Sequence, residues 1–93
     1  MHGLQITNHA QWRQASRAIS DHAIDAVLTF GKCFWAGRGC FAYFLGRRTA
    51  VKARRKFRVS LEKFRGIAVI VGPDGTLVTV QHRAKPPRHW KPA

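Results

Sequence analysis

Apolar residues recur along this chain first at helical and then at strand spacing, and the change of period falls near residue 32. Asn8, followed three residues later by Gln11, has the form of a capping box. Trp12, Ala15 and Ile19 then return on one stripe while His9, Arg13, Ser16 and Arg17 take another, which predicts a first helix with a basic face. Ser20 and Asp21 start a second helix on Ala23, Ile24, Val27 and Leu28, which Gly31 closes. From Lys32 onward the pattern shortens to the aromatic-rich runs 33–35 and 40–45. Between them lies Ala-Gly-Arg-Gly, so the pair reads as a β-hairpin whose four-residue loop sets Trp35 opposite Cys40.

Residues 47–58 fit either a short third helix, capped by Thr49 and carrying Ala50, Ala53 and Phe57 on one side, or a strand continued through Val51. Leu61 and Phe64 anchor the connection that follows. Residues 67–71 and 77–82 then form a second hairpin around the turn Gly72-Pro73-Asp74-Gly75. Ile67, Val69 and Val71 alternate with Ala68 and Ile70, so this strand is apolar on both faces and belongs inside a sheet. On its partner, strict alternation puts Val78, Val80 and His82 on one face and Leu77, Thr79, Gln81 and Arg83 on the other. These elements predict an α+β domain over residues 1–83 in which two N-terminal helices pack on an antiparallel sheet of about four strands. Residues 84–93 read as a basic, Pro-rich tail with too little apolar surface to order by itself.

Composition narrows the classes of function. The chain has 93 residues, 45% of them apolar, which suits one small core. The longest apolar runs, 41–45 and 67–71, fall far short of the ~20 residues a spanning helix needs. The absence of any Lys or Arg before Arg13, with no apolar segment of signal-peptide length after it, sets a cytoplasmic expectation. Seventeen Lys and Arg against four Asp and Glu leave a formal charge of +13, and such an excess calls for an acidic partner. Nucleic acid is the usual one. Seven of those cations, Arg47, Arg48, Lys52, Arg54, Arg55, Lys56 and Arg58, fall within residues 47–58 with no acid among them. That exceeds what solubility requires and predicts nucleic-acid or ribosome contact. Cys33 and Cys40 give neither a disulfide framework nor the paired ligand spacings of a zinc site, so they read as core packing and no metal is expected. Trp35, Phe41 and Tyr43 likewise read as core rather than as base-stacking platforms.

Three short segments in order carry a resemblance. His9, Ala10 and Arg13 come first, then Tyr43-Phe44-Leu45-Gly46-Arg47-Arg48, then Val69 to Val71 with Asp74, Gly75, Thr79, Val80 and Arg83. Together they resemble a bacterial domain family of uncharacterised function that is itself similar to the RelE/ParE toxin group. The match spans residues 8–83. The resemblance implies a helix leading into a curved antiparallel sheet and, with it, a metal-independent endoribonuclease. Its substrate would be RNA, free or on the ribosome, and its neutralising partner an acidic antitoxin or immunity protein; no cofactor and no membrane are implied.

The chemistry of such a reaction can be set against the residue types. Cleaving RNA without metal needs a group to take the 2′-OH proton, another to protonate the leaving 5′ oxygen, and cations on the phosphate. His9 and Arg13, one helical turn apart, are the first candidates, and Thr79 and His82 of the final strand are the others. Period-two parity sets Thr79 and His82 on opposite faces unless the strand bulges between them. Arg47, Arg48, Lys52, Arg54 and Arg55, with Gln81 and Arg83 beside Thr79, are the candidate nucleic-acid contacts. The competing function is non-catalytic: a module that binds nucleic acid or ribosomes through the same cations, or a ParE-like inhibitor of a topoisomerase. No Gly-rich phosphate loop, Ser/His/Asp set or carboxylate pair is present, and four acids are too few for a two-metal nuclease.

Overall fold

The computed structural model describes residues 19–93, and the helix expected from Asn8, with His9 and Arg13 on it, lies outside the described residues. The described chain runs α1 (Asp21–Phe30), β1 (Lys32–Gly37), β2 (Cys40–Phe44), α2 (Arg47–Phe57), a 3-10 turn (Glu62–Phe64), β3 (Ile67–Val71), β4 (Leu77–His82) and β5 (Lys91–Pro92). Its α+β class and antiparallel sheet agree with the sequence pattern. Among the described residues one helix precedes the sheet and one, the third helix that residues 47–58 allowed, lies between the hairpins; the sheet differs in having five strands rather than about four, in the order β4-β3-β2-β1-β5.

α1 begins where Ser20 turns the chain, its hydroxyl accepting the Ala23 backbone N–H at 3.1 Å, and Asp21 in the first turn complements the positive end of the helix dipole. Ala23, Ile24, Ala26 and Val27 form its buried stripe. Replacing Ser20 with Ala removes that cap and is expected to cost about 1 kcal/mol of stability. Urea unfolding measures it, and an unchanged midpoint would show that the cap contributes nothing. Gly31 ends the helix with φ −65°, not in the left-handed region. Its need for glycine is close approach, because a Cβ there would run into the Val27 carbonyl.

Two strand irregularities set the faces of the sheet. In the first hairpin the loop is two residues, Arg38 and Gly39, both at positive φ, as tight hairpin turns require. A bulge leaves Ala36 unpaired, so Trp35 faces Phe41 rather than Cys40, and Cys33 faces Tyr43. Both cysteines are free and half-buried. In the second hairpin the Gly75 N–H donates to the Gly72 carbonyl at 3.0 Å and Asp74 accepts from the Thr76 N–H at 3.0 Å. Those bonds from Thr76 hold the Asp74 carboxyl below the usual carboxylate range. The register then slips between Ile70↔Thr79 and Val71↔Leu77, leaving Val78 as the extra residue. The slip turns Leu77 onto the helix-bearing face, where it is fully buried with Val80. Simple alternation had set it on the other.

The sheet separates two apolar clusters. On the helix-bearing face Ile24, Val27, Leu45, Ile67, Val69, Leu77 and Val80 form the main core, joined by Ile19, Leu61 and Phe64. The opposite face carries Phe34, Ala42, Phe44 and Ala68, and Trp90 covers them. Trp90 comes from the segment expected to lack order. That segment instead supplies β5, with Phe34 opposite Pro92 and the Ala93 N–H donating to the Cys33 carbonyl at 3.1 Å. The tail's apolar content is too low to fold alone, but one indole placed on a ready apolar surface is enough to dock it.

Candidate functional site

Residues 47–58 form a helix, which settles the choice the sequence left open. Arg, Lys and Ala are strong helix formers and fill most of α2. Gly46, not Thr49, takes the N-cap position, and no side chain caps the first turn. Only Ala50 and Ala53 are buried, so small side chains hold the helix to the body along a narrow line. Phe57 was expected on that line; it lies against Phe30, ring centroids 5.8 Å apart, yet remains 56% exposed. Arg58 ends the helix at φ 57°.

All seven cations from Arg47 to Arg58 are exposed. Among the described residues the ion pair formed is Arg65 with Glu62, at 2.9 Å and outside the helix, so none of the seven is neutralised by a carboxylate. Their distribution has an energetic cost at one end. Arg54, Arg55 and Lys56 complement the negative C-terminal end of the helix, whereas Arg47 and Arg48 occupy a first turn that holds no acid and already carries the positive end of the dipole. That end also presents backbone N–H groups without a capping side chain. Such an N-terminus is less stable alone than with an anion bound.

The other candidates fall elsewhere. Thr79 pairs with Ile70 and Gln81 with Ala68, which places both on the sheet face away from the helices. The Thr79 hydroxyl donates only to the Val80 carbonyl, at 3.5 Å. His82 pairs with Ile67, a core residue, and so points to the helix-bearing side. The bulge lies upstream of Thr79, so it does not bring Thr79 and His82 together. His9 and Arg13 lie outside the described residues.

Gln81 and Arg83 do meet. The Arg83 guanidinium donates to Gln81 Oε1 at 2.7 Å and lies over the Trp90 ring at 5.8 Å, while its backbone N–H donates to Gly66 at 2.7 Å. With Arg38, His89 and Trp90 they border a depression of about 510 Å³ floored by Ile70. Sequence reading missed Arg38, His89 and Trp90 as neighbours of this pair, since nothing in a Pro-rich tail reveals where it docks. Trp35 and Phe41, expected in the core, are exposed and meet edge to face at 5.0 Å. Tyr43 is half-buried against the core. Burial, and then the adjacent Cys33 thiol, push its phenol above the ordinary value.

The described residues contain no group of three or more His, Cys, Asp or Glu that could hold a metal ion, and no helix among them is long and apolar enough to cross a membrane. What the arrangement can do is bind anions, through fixed helix-borne cations on one side and a preorganised Arg83 on the other. Comparison of the chain with protein-family models, with curated proteins and with solved structures finds a match to none of them.

Proposed function

We propose that this chain is a nucleic-acid-binding module that holds the phosphate backbone on α2. The observation that carries this reading is the set of six exposed, unpaired cations on one helix with a seventh at its C-cap, two of them in a first turn where they oppose the helix dipole. Structural purposes do not need them there, and a polyanion reverses the cost. The excess of +13 over the whole chain supplies the long-range attraction, and the cations of α2 supply the contact surface. Backbone contact of this kind positions the nucleic acid without reading sequence.

Binding to a labelled single-stranded RNA in EDTA tests it. The logarithm of the association constant is expected to fall linearly with the logarithm of salt, with a slope of about −4 if five or six phosphates are engaged. A flat dependence contradicts the proposal. The same reaction decides whether bound RNA is cut. Products formed in EDTA, and lost in folded His9→Ala protein, would add the RelE/ParE-like nuclease reading to the binding one. Intact RNA leaves the chain a binding module.

A further inference from the structure

α2 is a ridge with a furrow along each side. Opposite the buried Ala50 and Ala53, the side chains of Arg48, Val51, Lys52 and Arg55 form its crest. One flank carries Lys56; the other carries Arg47 and Arg54. Beyond the first flank lies a concavity of about 540 Å³ to which Lys32 adds a further cation, with Phe30 and Phe57 in its wall. Beyond the second lies one of about 430 Å³, lined by Arg54, Arg55 and Glu62, whose carboxylate is already held by Arg65. Val51 is 40% exposed in the middle of this cationic surface, where it packs no core.

This cross-section has the shape of a groove reader. A helix with its side chains is about 10–12 Å across, and the major groove of B-form DNA is about 12 Å wide. A helix laid there brings its two flanks to the two phosphate strands, which the furrows leave room to pass, and its crest to the base edges. Arginines on a crest suit guanine, and an exposed valine suits the thymine methyl group. The major groove of an A-form RNA duplex is deep and too narrow for side chains to read. A single strand has no second backbone for the second flank.

We infer that α2 reads the major groove of duplex DNA, with Arg48, Val51 and Arg55 toward the bases and the flanking cations on the two strands. This rests on the reading that α2 holds phosphates and adds the class of nucleic acid. The test compares one 20-base-pair DNA duplex, the RNA duplex of the same sequence and its single strand, at one salt concentration, with wild-type and Arg55→Lys protein. Wild type is expected to bind the DNA duplex at least about tenfold more tightly than the RNA duplex. Methyl green, a major-groove ligand, should displace it and netropsin, a minor-groove ligand, should not. Arg55→Lys keeps the charge but loses the two-pronged donor, so its affinity for the DNA duplex should fall by a larger factor than its affinity for the single strand, narrowing the DNA preference. Equal affinity for all three nucleic acids, tighter binding to the single strand, or displacement by netropsin overturns the inference and leaves phosphate binding standing. Binding to none of them overturns both.

Discussion

Charge reversal on α2, made as Arg48→Glu with Lys52→Glu and Arg55→Glu, is expected to reduce nucleic-acid affinity by at least about 100-fold near physiological salt and to make the salt slope shallower by about three. The three side chains are exposed and bond to no other described residue, so the fold should survive. Stability should change little, the gain at Arg48 being offset by the loss at Arg55, which stands in the last turn. Arg48 stands in the first turn, where a carboxylate favours the helix dipole and an arginine opposes it, and each such exposed charge is worth about 0.3–1 kcal/mol. Binding therefore falls while stability holds. Loss of binding together with a lowered unfolding midpoint would point to damage to the fold, and retained binding would remove α2 from the interface.

The second large effect is on stability and lies in the tail. Trp90 is 7% exposed and closes the apolar cluster of Phe34, Ala42, Phe44 and Ala68. Trp90→Ala is expected to cost about 3–5 kcal/mol, the range for deleting a large buried aromatic. For a domain of this size, that is a large share of a total of about 5–14 kcal/mol. Phe34→Ala empties part of the same cluster, with ring centroids 6.0 Å apart, so the double variant should lose less than the sum of the two. Urea unfolding measures each. A change under about 1 kcal/mol for Trp90→Ala would mean that the tail merely rests on the sheet.

How much of this was readable in the sequence depends on whether the deciding interaction was local. α1, the turn at Gly72 to Gly75, the interior placement of Ile67–Val71 and the anchoring of Leu61 and Phe64 were legible, because caps, turn residues and uninterrupted apolar runs act over a few neighbours. The bulges at Ala36 and Val78 were not legible. Each adds one residue to one strand, and nothing in an alternating pattern marks which residue is extra. The slip at Val78 alone moved Leu77 from the face of Thr79 and Gln81 to that of Val80, in the core. β5 and the burial of Trp90 were equally hidden, since they depend on a surface built by residues 34–68 far away in the chain.

The candidate site divides in the same way. The cations of α2 were visible as a charge run, while the helix that carries them was one of two readings the sequence left open, and the burial of Ala50 and Ala53 decides between them. That Gln81 and Arg83 share a face with Thr79 followed from period two, and the structure adds the bond between them. What strand parity could not supply was the indole above Arg83, brought by the tail. His9 and Arg13 lie outside the described residues.

The central claim is that nucleic acid lies along α2, and amide hydrogen exchange with and without a bound oligonucleotide locates it most directly. The account predicts that slowed exchange centres on residues 47–58, with the amides of β4 unchanged. Slowing confined to residues 81–90, beside Arg83 and Trp90, would contradict it and place the nucleic acid on the opposite face of the sheet.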